Sequence, residues 1–77
     1  MELTYDPKYN VAYAKLHSKK GPVDTIKISD ELNIDLGPDG TIYGIEFLNA
    51  NEQLAKDDAG KLVVINKSVG SRQEISF

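Results

Sequence analysis

Apolar and polar residues alternate along much of this chain with a period of two, the repeat of an extended strand with one face turned inward. Leu3 and Tyr5 share a face of the segment Glu2 to Asp6, and Asp6-Pro7 stops it, because proline lacks an amide donor and restricts the residue before it. Val11 to His17 reads two ways. As a strand it sets Ala12, Ala14 and Leu16 against Val11, Tyr13, Lys15 and His17; the alanines also suit a helix. Its shortness and the Gly21-Pro22 stop favour the strand. Thr25 to Ser29 alternates clearly, Ile26 and Ile28 on one side, and predicts a half-buried strand closed by a turn at Asp30-Glu31.

Leu32 to Asn51 reads as two strands joined at Gly37-Pro38-Asp39-Gly40. Pro38 suits the second position of a type I turn, and Gly40 the positive φ that often follows it. Two registers compete. A four-residue loop pairs Ile34 with Tyr43 and Leu32 with Ile45; a glycine bulge pairs Leu36 with Ile42 and sets Ile34 opposite Gly44. Ile42, Tyr43, Ile45, Phe47 and Leu48 are apolar on both faces of their strand, which predicts a central strand or one covered by a partner. Each large apolar side chain fully buried there contributes ~1.5–3 kcal/mol, so this strand is the expected heart of the core.

Asn49-Ala50-Asn51-Glu52 has capping-box spacing and predicts a short helix over Ala50 to Asp57, with Leu54 and Ala55 as its apolar contacts and Gly60 as its end. Leu62 to Ile65 is a compact β-branched run, hence a strand. Lys67 to Gln73 reads as polar and turn-like, and Glu74 to Phe77 as a short edge strand or a frayed end. The expected architecture is mainly β: a small antiparallel sheet or meander with one short helix after the central hairpin, forming a single domain over residues 1–77.

At 77 residues the chain is below the size at which one core is comfortably stable, and it has no cysteine for disulfides, zinc ligation or thiol chemistry. One histidine disfavours a His-rich metal site or a triad. Oligomerisation is the remaining source of stability, and a homodimer is expected over a monomer. A net charge of -3 with Lys19-Lys20 as the lone basic doublet argues against nucleic acid and suits a basic protein partner. No apolar run reaches a membrane span and no signal-peptide pattern opens the chain, so a cytoplasmic protein is expected.

Two pieces resemble the DUF2283 family of small bacterial and archaeal proteins. One is Leu3-Thr4-Tyr5-Asp6-Pro7 followed by Ala12-Tyr13-Ala14-Lys15-Leu16. The other is Ile34-Asp35-Leu36, Asp39-Gly40 and Gly44-Ile45-Glu46-Phe47-Leu48-Asn49-Ala50. Gly37-Pro38 departs from a pattern that usually carries acidic residues, and Ala12 and Ala14 replace larger apolar ones, which is expected to thin the packing of the sheet. The family has no assigned activity. The resemblance implies a compact, largely β protein, and for some members an antitoxin-like partnership with a small toxin; it supplies no site residues.

Candidate chemistry is sparse. Asp35, Asp39, Gly40, Ile42 and Glu46 match positions 1, 5, 6, 8 and 12 of a calcium-binding EF-hand loop, but position 3 is Gly37 and both flanks read as strands where helices are needed. Asp35 is read instead as a solvated strand residue and Glu46 as an outward or edge charge. Asp30, Glu31, Asp35 and Asp39 show no sign of the burial that makes paired carboxylates catalytic. His17-Ser18 lacks the third, orienting group of a nucleophile–base pair. Gly37, Gly40 and Gly44 fit turn geometry and close backbone approach better than a phosphate loop. Tyr5, Tyr9, Tyr13 and Tyr43 suit interface anchors, and the first, third and fourth equally suit a core with hydroxyls at its margin. No catalytic, cofactor-binding or metal residue is assigned. The reading is a non-enzymatic protein-interaction module, an antitoxin-like partner of a small basic protein. The alternative is a small enzyme or subunit with a Tyr/carboxylate site formed across a dimer.

Overall fold

The computed structural model describes residues 1–77. Strands β1 (Glu2–Asp6), β2 (Val11–Lys15), β3 (Asp24–Ser29), β4 (Leu32–Leu36) and β5 (Ile42–Leu48) form one antiparallel sheet in the order β1-β2-β5-β4-β3. Helix α1 (Ala50–Ala55) follows, and β6 (Lys61–Asn66) and β7 (Ser71–Ser76) make a separate hairpin. The strand two-sided in apolar character, β5, lies at the centre, flanked by β2 and β4. Val11 to Lys15 is a strand, ending two residues before His17.

Cross-strand registers sort the side chains onto two faces. Leu3 lies opposite Ala14, Tyr5 opposite Ala12, Ala12 opposite Phe47, Ala14 opposite Ile45, Leu32 opposite Phe47, and Ile34 opposite both Ile45 and Ile26. These make one apolar face. The other carries Tyr13, Gly44, Glu46, Asn33, Asp35, Thr25 and Lys27, and is polar. One inward face and one wet face is the usual state of an antiparallel sheet.

Neither expected hairpin register holds throughout. Leu36 pairs with Ile42, but Ile34 then meets Ile45 and Asp35 meets Gly44, so Tyr43 is an extra residue on β5. The bulge is stabilised from two sides. Its carbonyl accepts hydrogen bonds from the Leu16 and His17 amides at 2.8 and 3.2 Å. Its ring lies so close to Gly37 that a Cβ there would stand 3.0 Å from it, and Tyr43 becomes the one large buried side chain.

The alanines of β2 are core residues, Ala12 fully buried and Ala14 nearly so, and the packing around them is thin as expected: no large side chain is fully buried, and Tyr5 and Phe47, opposite Ala12, stay part-exposed. Other expectations need correction. Strand β3 is not half-buried. It is an edge strand, bulged between Lys27 and Ser29 and exposed along its whole length, because nothing covers its side of the apolar face. The polar stretch Lys67 to Gln73 is turn only as far as Gly70; Ser71 to Gln73 pair with Val64 to Asn66 as the start of β7. Pairing outweighs weak local propensity there, as it commonly does in strands.

Helix α1 is shorter than expected and has no capping box. Asn49 takes a left-handed φ of 51°, which aims its side chain away from the helix amides. The cap comes from Asn10 in the β1–β2 turn, itself at φ 55°. Its carbonyl accepts from the Ala50 amide at 2.9 Å and its Oδ1 from the Asn51 amide at 3.0 Å. Beyond Ala55 the chain turns through Ala59 and Gly60, both at positive φ, and the Gly60 amide returns to the Ala55 carbonyl at 3.0 Å. No helix of the fold is long and apolar enough to cross a membrane.

Candidate functional site

The densest polar chemistry lies on the polar face, where the network is built outward from Gly44. Tyr13 on β2 sits diagonally from Gly44 on β5, and Asp35 on β4 sits directly opposite Gly44. With no side chain on Gly44, the Tyr13 ring lies flat across β5, and its hydroxyl donates to Asp35 Oδ2 at 2.8 Å. Thr25 on β3 donates its hydroxyl to Asp35 Oδ1 at 2.7 Å, and Lys19 Nζ stands 3.9 Å from Oδ2. One clasp thus ties β2, β4 and β3 across the central strand. Asp35 is not the solvated residue expected; its side chain is 14% exposed. Of the two places expected for Glu46 the outward one holds: it is on the polar face of central β5, not at an edge, and accepts from Asn33 Nδ2 at 2.9 Å.

The electrostatics of the clasp hold each proton where it is. Burial, the hydrogen bond to Asp35 and the Asp35 and Glu46 charges push the Tyr13 hydroxyl up to about 12. The hydrogen bonds from Thr25 and Tyr13, with Lys19 assisting, hold Asp35 below the usual carboxylate range against the opposing effect of burial. Acid–base catalysis near neutrality needs the opposite arrangement, a donor and an acceptor moved toward pH 7. The geometry suits a clasp between strands.

The pH dependence follows from these signs. Tyr13 has a raised folded value, so its contribution to stability is complete below 10 and is lost as pH rises from 10 to about 12. Asp35 has a lowered one, so its contribution is present above the ordinary carboxylate value and is lost as pH falls through the folded value. Urea midpoints measured against pH are expected to fall along that alkaline limb in the parent chain, and Tyr13→Phe is expected to flatten it. An unchanged limb in the variant would remove Tyr13 as its source.

The remaining candidates are dispersed. His17 and Ser18 line shallow hollows beside the clasp, one shared with Tyr13, Lys15 and Lys19 and another with Lys20, Asp39, Thr41 and Tyr43. Asp35 is taken by Tyr13 and Thr25, and Asp39 accepts the Thr41 amide at 3.0 Å, a bond that lowers its pKa first of all. The carboxylate a His17-Ser18 pair would need is therefore engaged elsewhere. No three His, Asp or Glu side chains converge as a metal-ligand set. Gly40 serves the turn at φ 84°, and Gly37 and Gly44 permit the close approach of Tyr43 and Tyr13. Tyr9 is exposed, while Tyr5 meets Phe77 edge-to-face at 4.6 Å between ring centroids.

A family model described as "Protein of unknown function (DUF2283)" matches residues 2–51, well over half of the chain. The chain belongs to the DUF2283 family. No curated protein and no solved structure matches it. The DUF2283 match covers the five-stranded sheet and the start of α1, and it includes the clasp and Asn10 with its partners Asn49 and Asn51. The β6–β7 hairpin lies outside it. Sequence reasoning missed both polar networks. The available signal was Gly44 inside a strand of large, mostly apolar side chains, since a strand glycine often marks the close approach of another group.

Proposed function

We propose that this DUF2283 protein is a non-enzymatic protein-interaction module that works as a homodimer. One observation carries the reading. Seven residues are buried, and apart from Tyr43 they are four alanines and two glycines; every Leu, Ile, Val and Phe keeps part of its side chain in water. Exposed apolar surface on this scale marks a contact surface. Size points the same way. The chain exposes 5615 Å², whereas a compact monomer of its mass exposes about 4,650 Å². Its radius of gyration is 13.8 Å, against about 11.5 Å for a compact domain of this length.

The finer role is the antitoxin-like one, in which the dimer holds a small basic protein on its polar and turn surfaces. Seven carboxylates, on Asp6, Asp24, Glu31, Asp39, Glu46, Asp57 and Asp58, make no ion pair, whereas only Lys8, Lys20 and Lys67 among the lysine and arginine side chains make none. Unpaired like charge steers an opposite partner and does so less as salt rises.

Light scattering at micromolar concentration is expected to give twice the 8.5 kDa chain mass; a monomer at all accessible concentrations sinks the dimer. Binding to the small basic product of a neighbouring gene is expected to weaken steeply with salt, and salt-insensitive or absent binding removes the antitoxin-like role.

A further inference from the structure

We propose that the β6–β7 hairpin of each copy packs on the β3–β4 half of the apolar face of the other, a two-fold exchange of arms. This rests on the dimeric reading above and assigns its surface.

The fold leaves two apolar surfaces incomplete at opposite sides of one chain. The first is the hairpin. Leu62, Val64, Ile75 and Phe77 share one of its faces by strand alternation and register. Phe77 uses that face to meet Tyr5 on edge strand β1, and α1 is the hairpin's main neighbour. Val64 and Ile75 stay 47% and 50% exposed. A hairpin by itself is marginal in water and needs a third layer or further strands. The second surface is at the far edge of the sheet, where β3 is the last strand. Ile26, opposite Ile34, and Ile42, opposite Leu36, are 41% and 39% exposed on the apolar face. The chain's own hairpin lies on the β1 side and leaves this half open.

Three quantities select a second copy as the occupant. The surface in excess of a compact monomer is roughly 1,000 Å² per chain by the mass scaling, and a standard interface takes about 800 Å² from each partner. The segments that bear the two surfaces carry opposite net charge, which steers their approach: residues 61–77 hold three cations against Glu74, a net of +2, and residues 24–36 hold four carboxylates against Lys27, a net of -3. Finally, a two-fold axis brings surface i of one copy onto surface j of the other and j onto i, so one operation covers both. Asp24 at the β3 edge and Glu31 in the β3–β4 turn on one segment, and Lys67 in the β6–β7 turn on the other, are the charges without an ion pair that this leaves to be matched.

The test uses full-length chains and complementary charges. Ile26→Glu and Ile75→Lys each place an unpaired charge in both contacts of their own dimer, and each is expected to raise the dimer Kd at least about tenfold. Mixed one to one, they form a heterodimer with one Glu–Lys contact and one native contact, and light scattering is expected to show dimers again. Persistent dimers in either variant alone, or no recovery on mixing, overturns the assignment. A parent chain that is itself monomeric fails the dimeric reading instead, so the two failures are distinct. A second measurement covers variants that fold poorly. Because the chain has no cysteine, a benzophenone at Ile75→Cys labels one site. Its crosslinks to an isotopically heavy parent copy are expected within residues 24–36. Crosslinks confined to its own chain or to the other copy's hairpin overturn the proposal.

Discussion

Gly44→Ala is expected to destabilise the fold by about 3 kcal/mol, near the upper end of overpacking costs plus the loss of a hydrogen bond to a charged group. The added Cβ would overlap the hydroxyl and ζ carbon of Tyr13 and stand 2.7 Å from Cε1. The ring cannot yield cheaply, because its hydroxyl is held by Asp35 at 2.8 Å and its strand is paired on both sides. Lifting it would take from Asp35 one of its two hydroxyl donors, leaving Thr25 and the more distant Lys19. Urea unfolding would measure the loss. The double variant Tyr13→Ala with Gly44→Ala separates this cause from a general intolerance of β5. With the ring gone, adding the methyl is expected to cost less than about 1 kcal/mol. A single variant within about 0.5 kcal/mol of the parent would refute the clasp.

Asn10→Ala is expected to cost about 2–3 kcal/mol, the sum of a lost helix cap and of left-handed strain that asparagine's locally hydrogen-bonding side chain offsets and alanine's methyl does not. Asn10 is held at φ 55° and serves several groups at once. Its Oδ1 accepts from the Asn51 amide and from the Tyr5 hydroxyl at 3.3 Å, and its Nδ2 donates to Asn51 Oδ1 at 2.7 Å and Asn49 Oδ1 at 3.2 Å. The backbone bond from Ala50 to the Asn10 carbonyl depends on the same turn. Asn10→Gly divides the total, because glycine tolerates the positive φ but supplies no cap. It is expected to recover about 1 kcal/mol relative to alanine. Hydrogen exchange at Asn51 and Glu52 is expected to rise in both variants. Unchanged protection there would show that α1 does not take its cap from this turn.

The two predictions explain why the polar networks were hard to read from sequence. Tyr13 and Asp35 are 22 residues apart, and Asn10 and Asn51 are 41 apart. Neither spacing belongs to a helix or a tight turn, so no local pattern announces them. Asn49-Ala50-Asn51-Glu52 was misleading for a related reason. Its spacing satisfies the capping box, but a left-handed backbone at Asn49 points the side chain elsewhere, and only the packed β1–β2 turn decides that backbone. Asp35 reads as a solvated strand charge until β2 is placed two strands away. The turn-like reading of Ser71 to Gln73 failed because their polar side chains carry no strand signal, and pairing with Val64 to Asn66 supplies it instead.

The sequence by itself determined the mainly β class, five of the seven strands as separate elements, the short helix after the central hairpin and the family; it favoured a strand over a helix for β2 and offered the centre of the sheet as one of two places for β5. Strand periodicity is a local property of alternating side chains, whereas the choice between the middle of a sheet and a partner's cover for Ile42 to Leu48 was made by the pairing of β2 and β4 on either side of it. The tertiary structure alone decided the bulge at Tyr43, the burial of Ala12 and Ala14, the clasp across Gly44, the cap from Asn10 and the exposure of β3. Each depends on what stands across a neighbouring strand, and that neighbour is brought near only when distant segments pair and pack.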